Sequence, residues 1–230
     1  MSGGIPPGVT VFCDPALAPA MRALDAVARA RAGAPVAVLC APAPSMLAQI
    51  QRHTRNDVLF TLSSAMDQAV QLRLVRPETR IDGLSNRLVL VGLAGRFTPP
   101  AQDMVKPLVA AAKVAVTDNT VISGLDGAAI LTANGLALPP GRRLIGAAST
   151  QDVAFLVATG AADIGLVYRT DAQADPRLIV LATLNTDPAL TSYSGAVNAN
   201  AVSPNAQTIL GLVRGHGAAV LTNAGLEIAA

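Results

Sequence analysis

Tryptophan is absent from this chain of 230 residues, and aromatic residues reach only 3%. That is too few for a surface that stacks nucleic-acid bases. Charge is scarce too. Lys plus Arg total 17 against 15 Asp plus Glu, a net charge of +2. So small and scattered a balance does not draw a polyanion, and no nucleic-acid partner is expected. Uninterrupted apolar runs of about 20 residues are missing, so no membrane-spanning helix is expected. The opening Met1-Ser2-Gly3-Gly4-Ile5-Pro6-Pro7-Gly8 lacks the basic and apolar regions of a signal peptide. The expected location is therefore the periplasm if a leader has been removed, and the cytoplasm otherwise. His53 and His216 stand alone and read as surface residues. There is no Ser/His/Asp grouping, no recognisable carboxylate pair, no Cys-x-x-Cys and no phosphate-loop pattern, so neither catalysis nor a cofactor is expected.

What is abundant is small and apolar. Hydrophobic residues make up 51% of the chain against 14% charged, which excludes intrinsic disorder and allows one large core or two small ones. Val9-Thr10-Val11-Phe12 reads as a buried strand ending at Cys13-Asp14-Pro15, where Asp14 can cap a helix and Pro15 suits its first turn. That helix places Leu17, Met21, Leu24 and Val27 on one face. Strand Val36 to Leu39, a helix from Pro44-Ser45 and a strand from Asp57 to Leu62 follow. Asn86 to Gly92 reads as a central strand of a new sheet. Strands at Val114 to Val116, Leu144-Ile145, Ile164 to Tyr168 and Leu178 to Leu184 then alternate with helices at about Asp126 to Asn134 and Thr150 to Thr159. Ser194 to Asn198 could carry the chain back, and Pro204 to Ala224 reads as helix interrupted by Gly215 and Gly217. Alternation of this kind indicates an α/β fold with mixed, mostly parallel sheets.

These blocks, in this order, resemble the periplasmic molybdate-binding proteins of ABC importers, which have the type II periplasmic-binding-protein fold. The resemblance runs from about Val9 to Leu226. It is carried by Leu47-Ala48-Gln49-Ile50, by Asp57-Val58-Leu59-Phe60 and, most specifically, by the stretch from Thr159 through Gly160-Ala161-Ala162-Asp163-Ile164-Gly165 to Tyr168 and Ala172. It implies two Rossmann-like lobes joined by a hinge, residues 8–85 plus 195–230 forming one and 86–194 the other, with a ligand cleft between them. It also implies a monomer that binds a small molecule or oxyanion and docks on an ABC permease. The alternative is a cytosolic ligand-sensing or metal-binding module of the same fold.

By the same resemblance, the family holds its oxyanion with neutral donors: two serine hydroxyls, backbone N–H groups and a tyrosine hydroxyl. The first serine position falls here on Ala16. The second falls on Ala43, with Ser45 two places on. The second lobe's backbone donors fall near Gly124 and Thr150, and the tyrosine falls on Tyr168. Each hydroxyl missing from a desolvated dianion costs about 1.5–3 kcal/mol, or roughly one to two decades of affinity. A diverged site is therefore expected. Asp14 either caps its helix or opposes an anion in the cleft. Tyr168 either faces the ligand or packs at the hinge. Cys13 and Cys40 end strands expected to be neighbours, and three readings stay open for them: two buried small hydrophobes, a disulfide of an exported protein, or a soft-metal or reactive centre, with Asp14 or Asp118 available as further metal ligands. Asp118-Asn119-Thr120 could line the second lobe.

Overall fold

A computed structural model describes residues 8–97, 111–117, 126–136 and 143–229. Asp118, Asn119, Thr120 and Gly124 lie outside the described residues. The chain forms two units, one built from the chain up to Asn86 and again from Thr191, the other from Arg87–Leu190.

The first unit begins with β1 (Val9–Cys13), whose Val-Thr-Val-Phe run suits a strand flanked on both sides. A 3-10 turn, Pro15–Leu17, precedes α1 (Ala18–Ala32). On α1, Met21, Leu24 and Ala28 are buried while Val27 is half-buried, so the inward face continues at Ala28 rather than the expected Val27. Asp25 and Arg29 pair at 2.7 Å along the exposed side. Gly33 takes the left-handed φ of 61° that ends the helix, its N–H donating to the Arg29 carbonyl. Then come β2 (Val36–Cys40), α2 (Ala43–Gln51), β3 (Val58–Leu62), α3 (Ser63–Gln71) and β4 (Ile81–Asn86).

The second unit holds β5 (Leu88–Leu93), β6 (Lys113–Thr117), α4 (Gly127–Ala133), β7 (Arg143–Ala147), α5 (Thr150–Ala158), β8 (Ile164–Tyr168), α6 (Arg169–Ala174) and β9 (Leu178–Thr183). The chain returns to the first unit with β10 (Ser192–Val197), α7 (Ala206–Leu212), α8 (Ala218–Asn223) and β11 (Leu226–Ile228).

The sheets are mixed. The first runs β11-β4-β10-β3-β1-β2 and the second β7-β6-β8-β5-β9. Parallel pairing joins β1 to β2 and β3, and β6 to β7 and β8. The other ladders among the described residues are antiparallel. Strand–helix alternation alone does not announce this. The antiparallel ladders involve the strands by which the chain leaves and re-enters a unit: β4 runs out to Asn86, and β10 runs back in from Thr191.

Each sheet is packed with small and branched side chains. Phe12 and Leu59 meet Met46, Ile50 and Met66 in the first unit. Val89 and Val167 meet Val153 and Val157 in the second. Gly165 is required here, because a Cβ on it would stand 2.5 Å from a Val153 methyl, so only glycine lets α5 lie this close to β8.

One buried carboxylate ties the first unit together. Asp57, fully enclosed just before β3, accepts from the backbone N–H groups of Thr10 at 2.9 Å, Val202 at 3.1 Å and Ser203 at 2.9 Å. Removing it orphans the buried Ser203 N–H, at about 1–3 kcal/mol, and two part-buried donors, those of Thr10 and Val202, at less each. Asp57→Ala should therefore lower unfolding stability by about 2 kcal/mol or more, with Asp57→Asn milder. Denaturant titration of both variants checks this, and a loss under about 1 kcal/mol in the alanine variant would count against the staple.

Candidate functional site

The parallel strands of each unit end on one edge of its sheet, where helix N-termini and their N–H groups gather. In the first unit this edge brings together Cys13, Asp14 and Ala16 after β1, and Cys40, Ala43 and Ser45 after β2. β1 is held from both sides there: Asp14 donates its N–H to the Phe60 carbonyl at 2.9 Å, and Ala41 donates to the Cys13 carbonyl at 3.4 Å.

Asp14 caps the turn that follows. Its Oδ1 accepts from the Ala16 N–H at 3.0 Å. Ala16 is buried, and its carbonyl accepts from the Asn86 amide at 3.1 Å. The position where the family resemblance places an anion-binding serine thus carries no hydroxyl, and its N–H points at a carboxylate of the same loop. Burial pushes the Asp14 carboxyl up to about 6, against the opposing pull of the Ala16 N–H. On the neighbouring loop, α2 starts at Ala43 with no side-chain cap, and Ser45 in its first turn is exposed.

Hydroxyls do reach this edge, from residues that the local sequence does not single out. Ser63, the first residue of α3 after β3, bonds Ser194 at 2.9 Å, and Ser194 donates to Asp82 at 2.5 Å. Arg80 pairs with the same Asp82 oxygen at 2.8 Å. Sequence separations above 100 residues hide this chain of groups from any motif.

Cys13 and Cys40 are direct partners in the β1–β2 register, with sulfurs 3.5 Å apart and both thiols free. Cys13 is buried and Cys40 is exposed. The reading as two buried hydrophobes fails for Cys40, which is exposed at the end of β2, the outer strand of its sheet among the described residues. The two thiols share a hydrogen bond, which raises Cys13 and draws Cys40 down to about 7. Among the described residues, no group of three or more His, Cys, Asp or Glu side chains could hold a metal ion. His53 and His216 are exposed.

In the second unit, Thr150 follows the end of β7 and Tyr168 ends β8, on one sheet edge. Thr150 is buried in the first turn of α5. Ser149 caps that helix by accepting from the Asp152 N–H at 3.1 Å. Gln151 donates to Asp171 at 2.8 Å. Tyr168 is buried, and its hydroxyl donates to the Leu190 carbonyl at 3.0 Å. Its proton is directed at the residue where this unit ends. No helix among the described residues is long and apolar enough to cross a membrane.

The family described as bacterial extracellular solute-binding protein matches residues 9–227. No curated protein matches the chain. Solved structures do. The periplasmic molybdate-binding protein of Azotobacter vinelandii is 19% identical, with 96% of this chain and 100% of that one covered at a TM-score of 0.74. A Clostridium difficile protein described as the substrate binding domain of a molybdenum ABC transporter is 20% identical, with 97% and 100% covered at 0.74. The sulfate-binding protein of Mycobacterium tuberculosis H37Rv is 14% identical, with 96% and 86% covered at 0.64. Identities this low establish the fold and leave the ligand to the residues.

The raised Asp14 carboxyl has a definite sign. Between about pH 4 and pH 6 the folded chain keeps a proton that the unfolded chain has released. This group's contribution to stability therefore falls as pH rises through that window and stays reduced above it. Asp14→Asn keeps an oxygen for the Ala16 N–H and removes the charge. It should raise Tm by a few degrees at pH 8, with the gain shrinking as pH is lowered to 4.5. An equal gain at both pH values, read by calorimetry, would show that the charge is not what matters.

Proposed function

The chain belongs to the bacterial extracellular solute-binding proteins, and from that premise we propose that it serves outside the cytoplasmic membrane as the non-catalytic, monomeric receptor of an ABC importer. It delivers a small polar solute to the importer's permease. The family match over residues 9–227 carries this reading. The sheet edges described above support it, because they set helix N-termini and polar side chains where ligands of open α/β sheets bind.

The ligand differs in chemistry from a tetrahedral dianion held by neutral donors. Ala16 and Ala43 offer no hydroxyl, and the Ala16 N–H already serves the Asp14 carboxylate. At neutral pH a dianion on this loop meets a negative charge in place of a donor. A solute that presents its own donor to Asp14, such as a hydroxyl, an amine or a protonated acid, suits the loop better. In the second unit, Thr150 and Tyr168 are the proposed ligand-facing residues, with Ser45 the available hydroxyl on α2.

Two measurements test this. In thermal-shift titrations at pH 8, molybdate, tungstate and sulfate at micromolar concentration should leave Tm unchanged, while a panel of amine- and hydroxyl-bearing solutes should contain a stabilising one. A strong molybdate shift in the unaltered protein would overturn the assignment of ligand class. Once a stabilising solute is in hand, Tyr168→Phe should raise its Kd about tenfold, beyond any drop in Tm from the lost bond to Leu190. A lower Tm with unchanged Kd would make Tyr168 a fastener of the fold.

A further inference from the structure

We propose that Cys13 and Cys40 form a redox-active pair in which the exposed Cys40 sulfur attacks an external disulfide and the buried Cys13 resolves it, closing an intramolecular disulfide between β1 and β2. The geometry suits both steps. The two residues are opposite one another in a parallel ladder, so their Cβ atoms leave the same face. Neighbouring strands run about 4.8 Å apart, inside the range of roughly 4.4–6.8 Å that a disulfide spans between Cα atoms. The sulfurs already lie within 3.5 Å, and bond formation requires only that they close the remaining gap.

The asymmetry of the pair assigns the roles. Cys40 stands at the open end of the outer strand, where a small disulfide can reach it, whereas Cys13 has no exposed surface. The two sulfurs share a hydrogen bond at 3.5 Å, and that bond with Cys13 draws the Cys40 thiol down. Partial burial of Cys40 opposes the thiolate, Arg22 on α1 favours it, and Asp14 on the adjoining turn opposes it. The shared bond thus favours the thiolate at the exposed Cys40, and the thiolate is the reactive form.

The chemistry balances with a disulfide R–S–S–R as oxidant. The Cys40 thiolate bonds to one sulfur and expels the other as RS⁻. The mixed disulfide no longer carries the Cys40 charge that held the Cys13 proton. Cys13 then gives its proton to the expelled RS⁻ and attacks the Cys40 sulfur, releasing the second R group as a thiolate. Two protein thiols are oxidised to one disulfide, and R–S–S–R is reduced to two thiols. The new bond would tie together the strand ends that carry Asp14 with Ala16 and, on the other loop, Ala43 with Ser45.

The test uses the full chain, reduced and freed of reductant, with Ellman's reagent as the external disulfide. The unaltered protein should release two equivalents of thionitrobenzoate and retain none, with a mass two hydrogens lighter. Cys13→Ala should release one equivalent and retain one on Cys40, and the pH midpoint of its reaction should move up from near 7 toward the ordinary thiol value. Cys40→Ser, altered at an exposed position, should release nothing until unfolded. One retained label on the unaltered protein would overturn the proposal, as would equal reactivity of Cys13 in Cys40→Ser. So would a zinc ion, added alone to the reduced protein, that protects both thiols and leaves them reduced under the same oxidant, since that outcome makes the pair a metal site.

Discussion

The position of β1 governs the candidate site. Because Val9–Cys13 is paired in parallel on both sides, its end cannot move independently of β2 and β3. The bonds from Asp14 to Phe60 and from Ala41 to Cys13 extend that pairing past the last strand residue. The loop that follows is thus delivered in a set orientation, with Asp14 one residue beyond the ladder. The Asp57 carboxylate secures the opposite end of the same strand by taking the Thr10 N–H, while also holding Val202 and Ser203. A slip of one register would turn Cys13 and its neighbours to the other face of the sheet and expel Phe12 from its cluster with Met46 and Leu59.

Much of the framework is legible in the sequence because local physics writes it there. The Val-rich strands, the caps at Asp14, Asp126 and Ser149, and the glycine breaks all lie within a few residues of what they control. The elements that escape notice are those held by distant partners. β4 carries Asp82, Gly83 and Ser85, poor strand formers, and it is a strand because β10 and β11 pair with it. β11 is only three residues long and has the same support. Antiparallel pairing is invisible to alternation, since it depends on where the chain crosses between units.

The site divides along the same line. The facing of Cys13 and Cys40 follows from two strands of matched length, and Asp14 as a cap follows from Pro15 beside it. The exposure of Cys40 does not follow, because nothing in Val36–Cys40 says that β2 is the outermost strand. The link of Ser63 through Ser194 to Asp82 spans the chain and depends on β10 returning beside β3 and β4. No spacing rule points to its hydroxyls, which are separated by 131 residues in the chain.

Asp14 joins stability to selection. A turn whose first N–H groups await an anion is under-satisfied when empty, and its ligand both fills and stabilises it. Here the turn carries its own acceptor, so the first unit keeps that donor satisfied with no ligand bound. An anion that sought the Ala16 N–H would have to displace a carboxylate linked to it by the chain itself, at an effective concentration that free solutes cannot match. A solute that donates to Asp14 faces no such competition, because the carboxylate has a second oxygen and more than one lone pair to offer. It would also relieve part of the burial cost that lifts the carboxyl to about 6. One substitution pattern, alanine at 16 with aspartate at 14, therefore lets the turn stand without a ligand and reverses the kind of partner it favours.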